Sequence, residues 1–196
     1  MESQFGWVPP AQPGGTEDFL AVQVIVLLQP AASPELPPLR ETLSAVLAVP
    51  AARRVLVRGG MAEDWLPPGF DVIGQRGADY GERMAAALAE AYATAPLPML
   101  LVRPDALDIT PDMLADAARS LLSGEADAAF GPAFDGGFWL LGLRRPDRSL
   151  VAGIPGPAAG SGAGGGRQLI ERLASAGLRV ALAPRLEIAG AGALRF

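Results

Sequence analysis

The sequence predicts an α/β fold with a mostly parallel central sheet, helices on both faces, and an antiparallel strand pair late in the chain. Three observations carry this. Short strand-like segments alternate with amphipathic helical segments over most of the 196 residues. The strand segments are apolar throughout rather than alternating, the pattern of strands buried on both faces. Two of them, 126–133 and 137–143, meet at the tight-turn signal Asp135-Gly136-Gly137, which leaves no room for a helical crossover between them.

Taken in order, "AVQVIVLL" (21–28) reads as a buried, β-branched strand closed by Pro30. Residues 37–49 read as a helix with prolines at its start and Leu39, Leu43, Val46 and Leu47 on one face. Strands follow at 53–59 and 70–75. The clearest helix is 79–95, where Asp79 can cap and Glu82 stands three residues on, the capping-box arrangement. A fourth strand spans 97–106. The helix over 110–124 has Thr110 as N-cap and Pro111 at its first position. After the paired strands, a Gly/Ala/Pro-rich stretch (152–166) leads to a helix near 167–176 and a last strand, 178–184. Residues 1–18, rich in Pro, Gly and Gln, read as a flexible arm ahead of a single domain, 19–196.

Composition excludes whole classes of chemistry. The chain has no His and no Cys, and its 16 basic residues are all Arg. A Ser-His-Asp triad, a thiol nucleophile, a zinc site of the usual kind, a Schiff base and a P-loop lysine are therefore all absent. Any metal would be held by oxygen ligands, which favours Mg²⁺ or Mn²⁺. The net charge of −5 disfavours non-specific nucleic-acid binding. No apolar run approaches the roughly 20 residues of a membrane-spanning helix, and the acidic start of the chain is unlike a secretory signal. The expected location is cytoplasmic.

In open α/β sheets ligands bind beyond the carboxyl ends of the strands. Three polar segments fall there. "GQRGADYGER" places Arg76 and Arg83 at the mouth of a helix, where free N–H groups and the dipole suit a phosphate; a solvated loop is the competing reading. "RPDALDIT" places Asp105 directly after a strand, where a carboxylate can hold a divalent cation against a diphosphate. In the same segment Asp108 can instead help Thr110 cap the next helix. Arg103 stands two residues before Asp105, so it can pair with that acid and partly replace a cation. "AFDGG" sets Asp135 at a turn whose two glycines leave room for a ligand to approach the backbone, although turn chemistry alone also accounts for them. Arg76, Asp105 and Asp135 are expected to share one rim.

"QRGADYGERMAAAL", "LLVRPDALDITPDML" and "DAAFGPAFDGGFWLLGL" together resemble the successive motifs of the DUF2064 family. These are GT-A-like proteins of the nucleotide-diphospho-sugar transferase superfamily, provisionally assigned as glycosyltransferases and related in fold to phospholactate guanylyltransferases. The resemblance covers roughly residues 55 to 150 and implies a Rossmann-like α/β/α sandwich. It places the family's strand-end acid on Asp105 and its Asp-Gly-Gly turn on Asp135, Gly136 and Gly137. The chain departs from the pattern at "QPAASPELPPLRETL", where members carry a basic segment, at Arg103-Pro104-Asp105-Ala106-Leu107, where members carry Gly-x-Asp-x-Pro, and at "LEIAGAGA", where only Glu187 remains of an acid-rich motif.

The resemblance implies a glycosyltransferase-like enzyme using a nucleotide-activated sugar donor, with nucleotidyl transfer less favoured. In that reading Asp135 is the catalytic residue, Arg76, Arg83, Gly136 and Gly137 bind substrate, and Asp105 takes the metal. Mg²⁺ or Mn²⁺ would be weakly held, and no organic cofactor is expected. The partner is a nucleotide-sugar or another small molecule, with no nucleic acid and no membrane; the oligomeric state stays open. The alternative is a diverged GT-A domain that has lost sugar transfer and either serves as an accessory or binding protein or performs a metal-independent reaction on another substrate.

Overall fold

The computed structural model describes residues 19–28, 37–59, 68–157 and 165–189. The arm expected over 1–18 lies outside them. Seven strands form one sheet: β1 (Leu20–Leu27), β2 (Ala51–Arg58), β3 (Asp71–Gly74), β4 (Met99–Val102), β5 (Ala128–Pro132), β6 (Phe138–Leu143) and β7 (Val180–Leu182). Their spatial order is β3-β2-β1-β4-β6-β5-β7. β6 alone runs against the rest, paired antiparallel with β4 and with β5. The helices are α1 (Pro37–Ala48), α2 (Tyr80–Thr94), α3 (Pro111–Leu122), α4 (Arg148–Val151) and α5 (Gly165–Ser175).

The inner strands β1, β4, β6 and β5 are buried on both faces, which is why they read as continuous apolar runs, whereas the edge strands β3 and β7 are partly open to solvent. In β1 the side chains alternate between two cores. Val22, Val24 and Val26 join Leu39, Leu43, Leu114 and Leu121 on the α1/α3 side. Ile25 and Leu27 join Met84, Leu88, Leu169 and Leu173 on the α2/α5 side. Trp139, Leu140 and Leu141 in β6 are wholly buried. Each such side chain contributes on the order of 1.5–3 kcal/mol relative to exposure. Trp139 also satisfies its indole N–H, which donates to the Pro184 carbonyl at 2.8 Å. The architecture is the expected α/β/α sandwich.

Local signals in the sequence are used as read. Asp79 Oδ1 accepts from the Glu82 N–H at 2.8 Å, and the Glu82 carboxylate reaches back to the Ala78 N–H at 2.9 Å. Thr110 caps α3 through the Met113 N–H, with Pro111 at the first position. Two features differ from the expectation. The short helix α4 falls in a segment assigned to no element. α5 begins at Gly165, inside the stretch read as glycine-rich connection, because its first turn must press against backbone. The Gly166 N–H donates to the Gly136 carbonyl at 3.2 Å, and a Cβ on Gly166 would collide with the Gly137 carbonyl oxygen.

Candidate functional site

Parallel strands put their carboxyl ends on one edge of the sheet, and β5 delivers the 133–137 turn to that same edge. β4 ends at Val102, and the Arg103 N–H still donates to the Trp139 carbonyl at 2.9 Å. This bond fixes the first residue beyond the strand. Pro104 and Asp105 then turn away, and the Thr42 hydroxyl of α1 donates to the Pro104 carbonyl at 3.4 Å. Arg103 thus enters the protein with its side chain only 5% exposed.

Its guanidinium is the centre of the site. Nε donates to Asp105 Oδ1 at 2.9 Å and Nη2 donates to Oδ2 at 2.8 Å, a bidentate grip on one carboxylate. Nη1 donates to Asp135 Oδ2 at 3.1 Å and to the Phe138 carbonyl at 3.5 Å. Asp135 Oδ1 accepts from the Gly137 N–H at 2.8 Å. Both carboxylates keep about a third of their surface open, at 32% and 30%. The cluster therefore carries two acids and one cation at a partly open rim.

The two glycines after Asp135 now have separate reasons. Gly136 adopts φ 81°, which favours glycine. A Cβ on Gly137 would lie 3.0 Å from both Arg103 Nη1 and Asp135 Oδ1. The bare backbone at 137 makes room for the ion pair, and the far side of the turn is covered by Gly166.

Tyr80, the first residue of α2, is buried beside the cluster and was not singled out in the sequence. Burial pushes its phenol up to about 12; Arg103 pulls it down, Asp105 pushes it up, and the charges of Arg83 and Asp135 act more weakly in the same opposed senses. Arg103 responds in the reverse way. Burial alone would lower its pKa, but the Asp105 hydrogen bonds and charge, with Tyr80 and Asp135 behind them, raise it above the ordinary value. The guanidinium is permanently charged.

The structure thus brings Asp105, Asp135, Gly136 and Gly137 together. Arg83 lies half-buried on α2 near enough for its charge to act on the Tyr80 phenol, with Nη1 donating to the Ala78 carbonyl at 3.4 Å. Arg76 does not join the ion cluster. It is 75% exposed and pairs with Glu90 at 3.6 Å along the outer flank of α2. There it lines a pocket of about 480 Å³ with Gly77, Glu82, Asp147 and Arg148, and that pocket includes neither Asp105 nor Asp135. Asp108 is exposed, with its backbone at φ 61°.

The residues present do not fit a divalent cation. Mg²⁺ and Mn²⁺ want about six oxygens. Both oxygens of Asp105 are taken by Arg103. The chain does bring the Glu187 segment alongside, through the Leu107 N–H to the Glu187 carbonyl at 2.9 Å and the Ala189 N–H to the Asp105 carbonyl at 2.8 Å. These are backbone contacts, and Glu187 itself is exposed. Among the described residues no three acids gather into a group able to hold an ion, and no helix is long and apolar enough to cross a membrane.

Solved structures share this fold. A protein from Desulfovibrio desulfuricans G20, provisionally described as a nucleotide-diphospho-sugar transferase, aligns over 86% of this chain and 81% of its own, with TM-score 0.71 and 21% identity. Glucosyl-3-phosphoglycerate synthase from Mycobacterium tuberculosis, in complex with Mn²⁺, uridine diphosphate and glucosyl-3-phosphoglycerate, aligns over 86% of this chain and 70% of its own, with TM-score 0.56 and 14% identity. A synthetase for CMP-2-keto-3-deoxy-manno-octonic acid, complexed with CTP, aligns over 84% and 89%, with TM-score 0.56 and 11% identity. At these identities the likeness is one of fold. No curated protein matches the chain. The profile of the family described as "Uncharacterized protein conserved in bacteria (DUF2064)" matches residues 40–156, more than half of the sequence, and the chain belongs to that family.

Proposed function

We propose that the chain is a glycosyltransferase-like enzyme that takes a nucleotide-activated sugar donor at the rim formed by Asp105, Arg103 and Asp135. The observation that carries this reading is the convergence of Asp105 and Asp135 on one guanidinium beyond the carboxyl ends of β4 and β5. That is where an α/β sheet binds its ligand. Asp135 is the residue suited to the acceptor. Its carboxylate is oriented from both sides, by the Gly137 N–H and by Arg103, yet remains 30% exposed. Each of its oxygens keeps a free lone pair for an incoming hydroxyl. Asp135 would orient that hydroxyl and receive its proton as the oxygen attacks the sugar's anomeric carbon and the nucleoside diphosphate leaves with the bonding electrons. Arg83 is the available cation for the diphosphate, at the start of α2. Arg76 would serve only a ligand that extends over the α2 flank. The fold neighbours include both sugar transferases and a nucleotidyl-transferring synthetase; the open carboxylate of Asp135 favours hydroxyl activation and hence sugar transfer.

One observation favours the second reading, a diverged domain without nucleotide-sugar turnover. Arg103 occupies the carboxylate that would otherwise face a metal–diphosphate, and four of its five N–H groups are already committed. Thermal unfolding with UDP-, GDP- and dTDP-sugars separates the two. A melting-temperature rise with one donor class, diminished in Arg83→Ala, is expected of the enzyme. No rise with any of them supports the accessory protein or a reaction on another substrate.

A further inference from the structure

We propose that Arg103 is a built-in cation that closes a divalent-metal position, so that this rim works without Mg²⁺ or Mn²⁺ and becomes a metal site only when the guanidinium is removed. The inference concerns the same rim as the reading above, but its readout is metal binding. It therefore stands or falls independently of whether sugar is transferred.

Three observations carry it. First, the guanidinium lies between the two strand-end carboxylates, with both oxygens of Asp105 and one of Asp135 bound to it at 2.8–3.1 Å. A metal bridging these acids would need the same oxygens. Second, Arg103 cannot step aside cheaply. It is 5% exposed, its own N–H is tied to Trp139 on β6, and leaving would break a bidentate pair and a second ion pair together. Nor can it lose its charge, since the surrounding acids hold its pKa above the ordinary value. Third, the backbone has been shaped to the guanidinium, because a Cβ at Gly137 would lie 3.0 Å from Nη1.

The charge arithmetic agrees. Two carboxylates and one guanidinium leave a single net negative charge, whereas a divalent ion in place of the guanidinium would leave none. Both carboxylates lie within hydrogen-bond reach of the one guanidinium, so its removal leaves two like charges without their shared counter-charge. Arginine's planar fork meets that need for two carboxylates at once and, unlike an ion, does not exchange with solvent.

The test is a paramagnetic resonance titration of the full chain with Mn²⁺ alone, in four forms: the wild type, Asp105→Asn, Arg103→Ala, and the double variant. The wild type is expected to bind no Mn²⁺ that depends on Asp105. Arg103→Ala is expected to gain one site, at least about tenfold tighter than anything in the wild type, since two freed carboxylates leave the remaining positions to water. Asp105→Asn added to Arg103→Ala should abolish the gain, and millimolar guanidinium should compete with the ion. Wild-type binding that falls in Asp105→Asn would overturn the proposal, as would a folded Arg103→Ala protein that gains no site. If Arg103→Ala does not fold, the comparison of wild type with Asp105→Asn decides alone.

Discussion

Arg103 holds both oxygens of Asp105 from two residues away in the chain, at 2.9 and 2.8 Å, and the same guanidinium reaches Asp135 thirty-two residues later at 3.1 Å. A local pair is thereby tied to a distant turn. The end of β4 and the β5–β6 turn are held by one buried cation.

That cation is expected to be a large part of the stability of this edge. Replacing Arg103 by Ala leaves two carboxylates facing each other with no counter-charge. Breaking a buried pair by removing one partner costs about 3–5 kcal/mol. The two acids are one-third open to water, so the lower end, about 3 kcal/mol, is expected for Arg103→Ala. Urea denaturation measures it. A loss below about 1 kcal/mol would place the pair among ordinary surface ion pairs.

The α5 start supplies a second expectation. A Cβ on Gly166 meets the Gly137 carbonyl oxygen, which is backbone and cannot move without shifting the Asp135 turn. Gly166→Ala should therefore cost about 1–3 kcal/mol, the range for overpacking. Gly74→Ala is the control, since nothing lies within 4 Å of the added methyl. Equal melting temperatures for the two variants would mean that α5 does not press on the turn as described.

Tyr80 gives a pH test. Its phenol is pushed from 10.0 up to about 12, first by burial. A proton held more tightly in the folded than in the unfolded chain stabilises the fold below pH 10, and that contribution is lost as pH rises from about 10 through about 12. The chain has two tyrosines, so Tyr92→Phe leaves Tyr80 as the only phenol. Ultraviolet titration of that variant should show phenolate only well above pH 10 while the protein stays folded. Ionisation at the ordinary value in the folded chain would show that Tyr80 is open to water.

The sheet is legible because its inner strands are buried on both faces, and the caps of α2 and α3 because Asp79, Glu82 and Thr110 act on neighbours three or four residues away. The pairing of Arg103 with Asp105 was legible for the same reason of short range. What the sequence could not show was long-range. The reach of Arg103 to Asp135, the burial of Tyr80 beside them and the seating of Gly166 on the turn all depend on how β4, β6 and α5 meet. Arg76 stands apart from the cluster for a related cause. It follows β3 as expected, but β3 is the edge strand, and the Arg76 side chain pairs with Glu90 of α2 instead of turning to the cluster. The closeness of the Gly137 backbone to the Arg103 guanidinium is likewise a long-range contact.

The central claim is that the Asp105–Arg103–Asp135 rim, and not the α2 flank, receives the nucleotide-activated sugar. Calorimetric titration of the donor that raises the melting temperature, into wild type, Arg83→Ala and Arg148→Ala, tests it most directly. The expected result is a loss of about tenfold or more in affinity for Arg83→Ala, about 1.4 kcal/mol, with Arg148→Ala unchanged. Unchanged affinity in folded Arg83→Ala, with binding lost in Arg148→Ala, would move the site to the flank pocket and contradict the account.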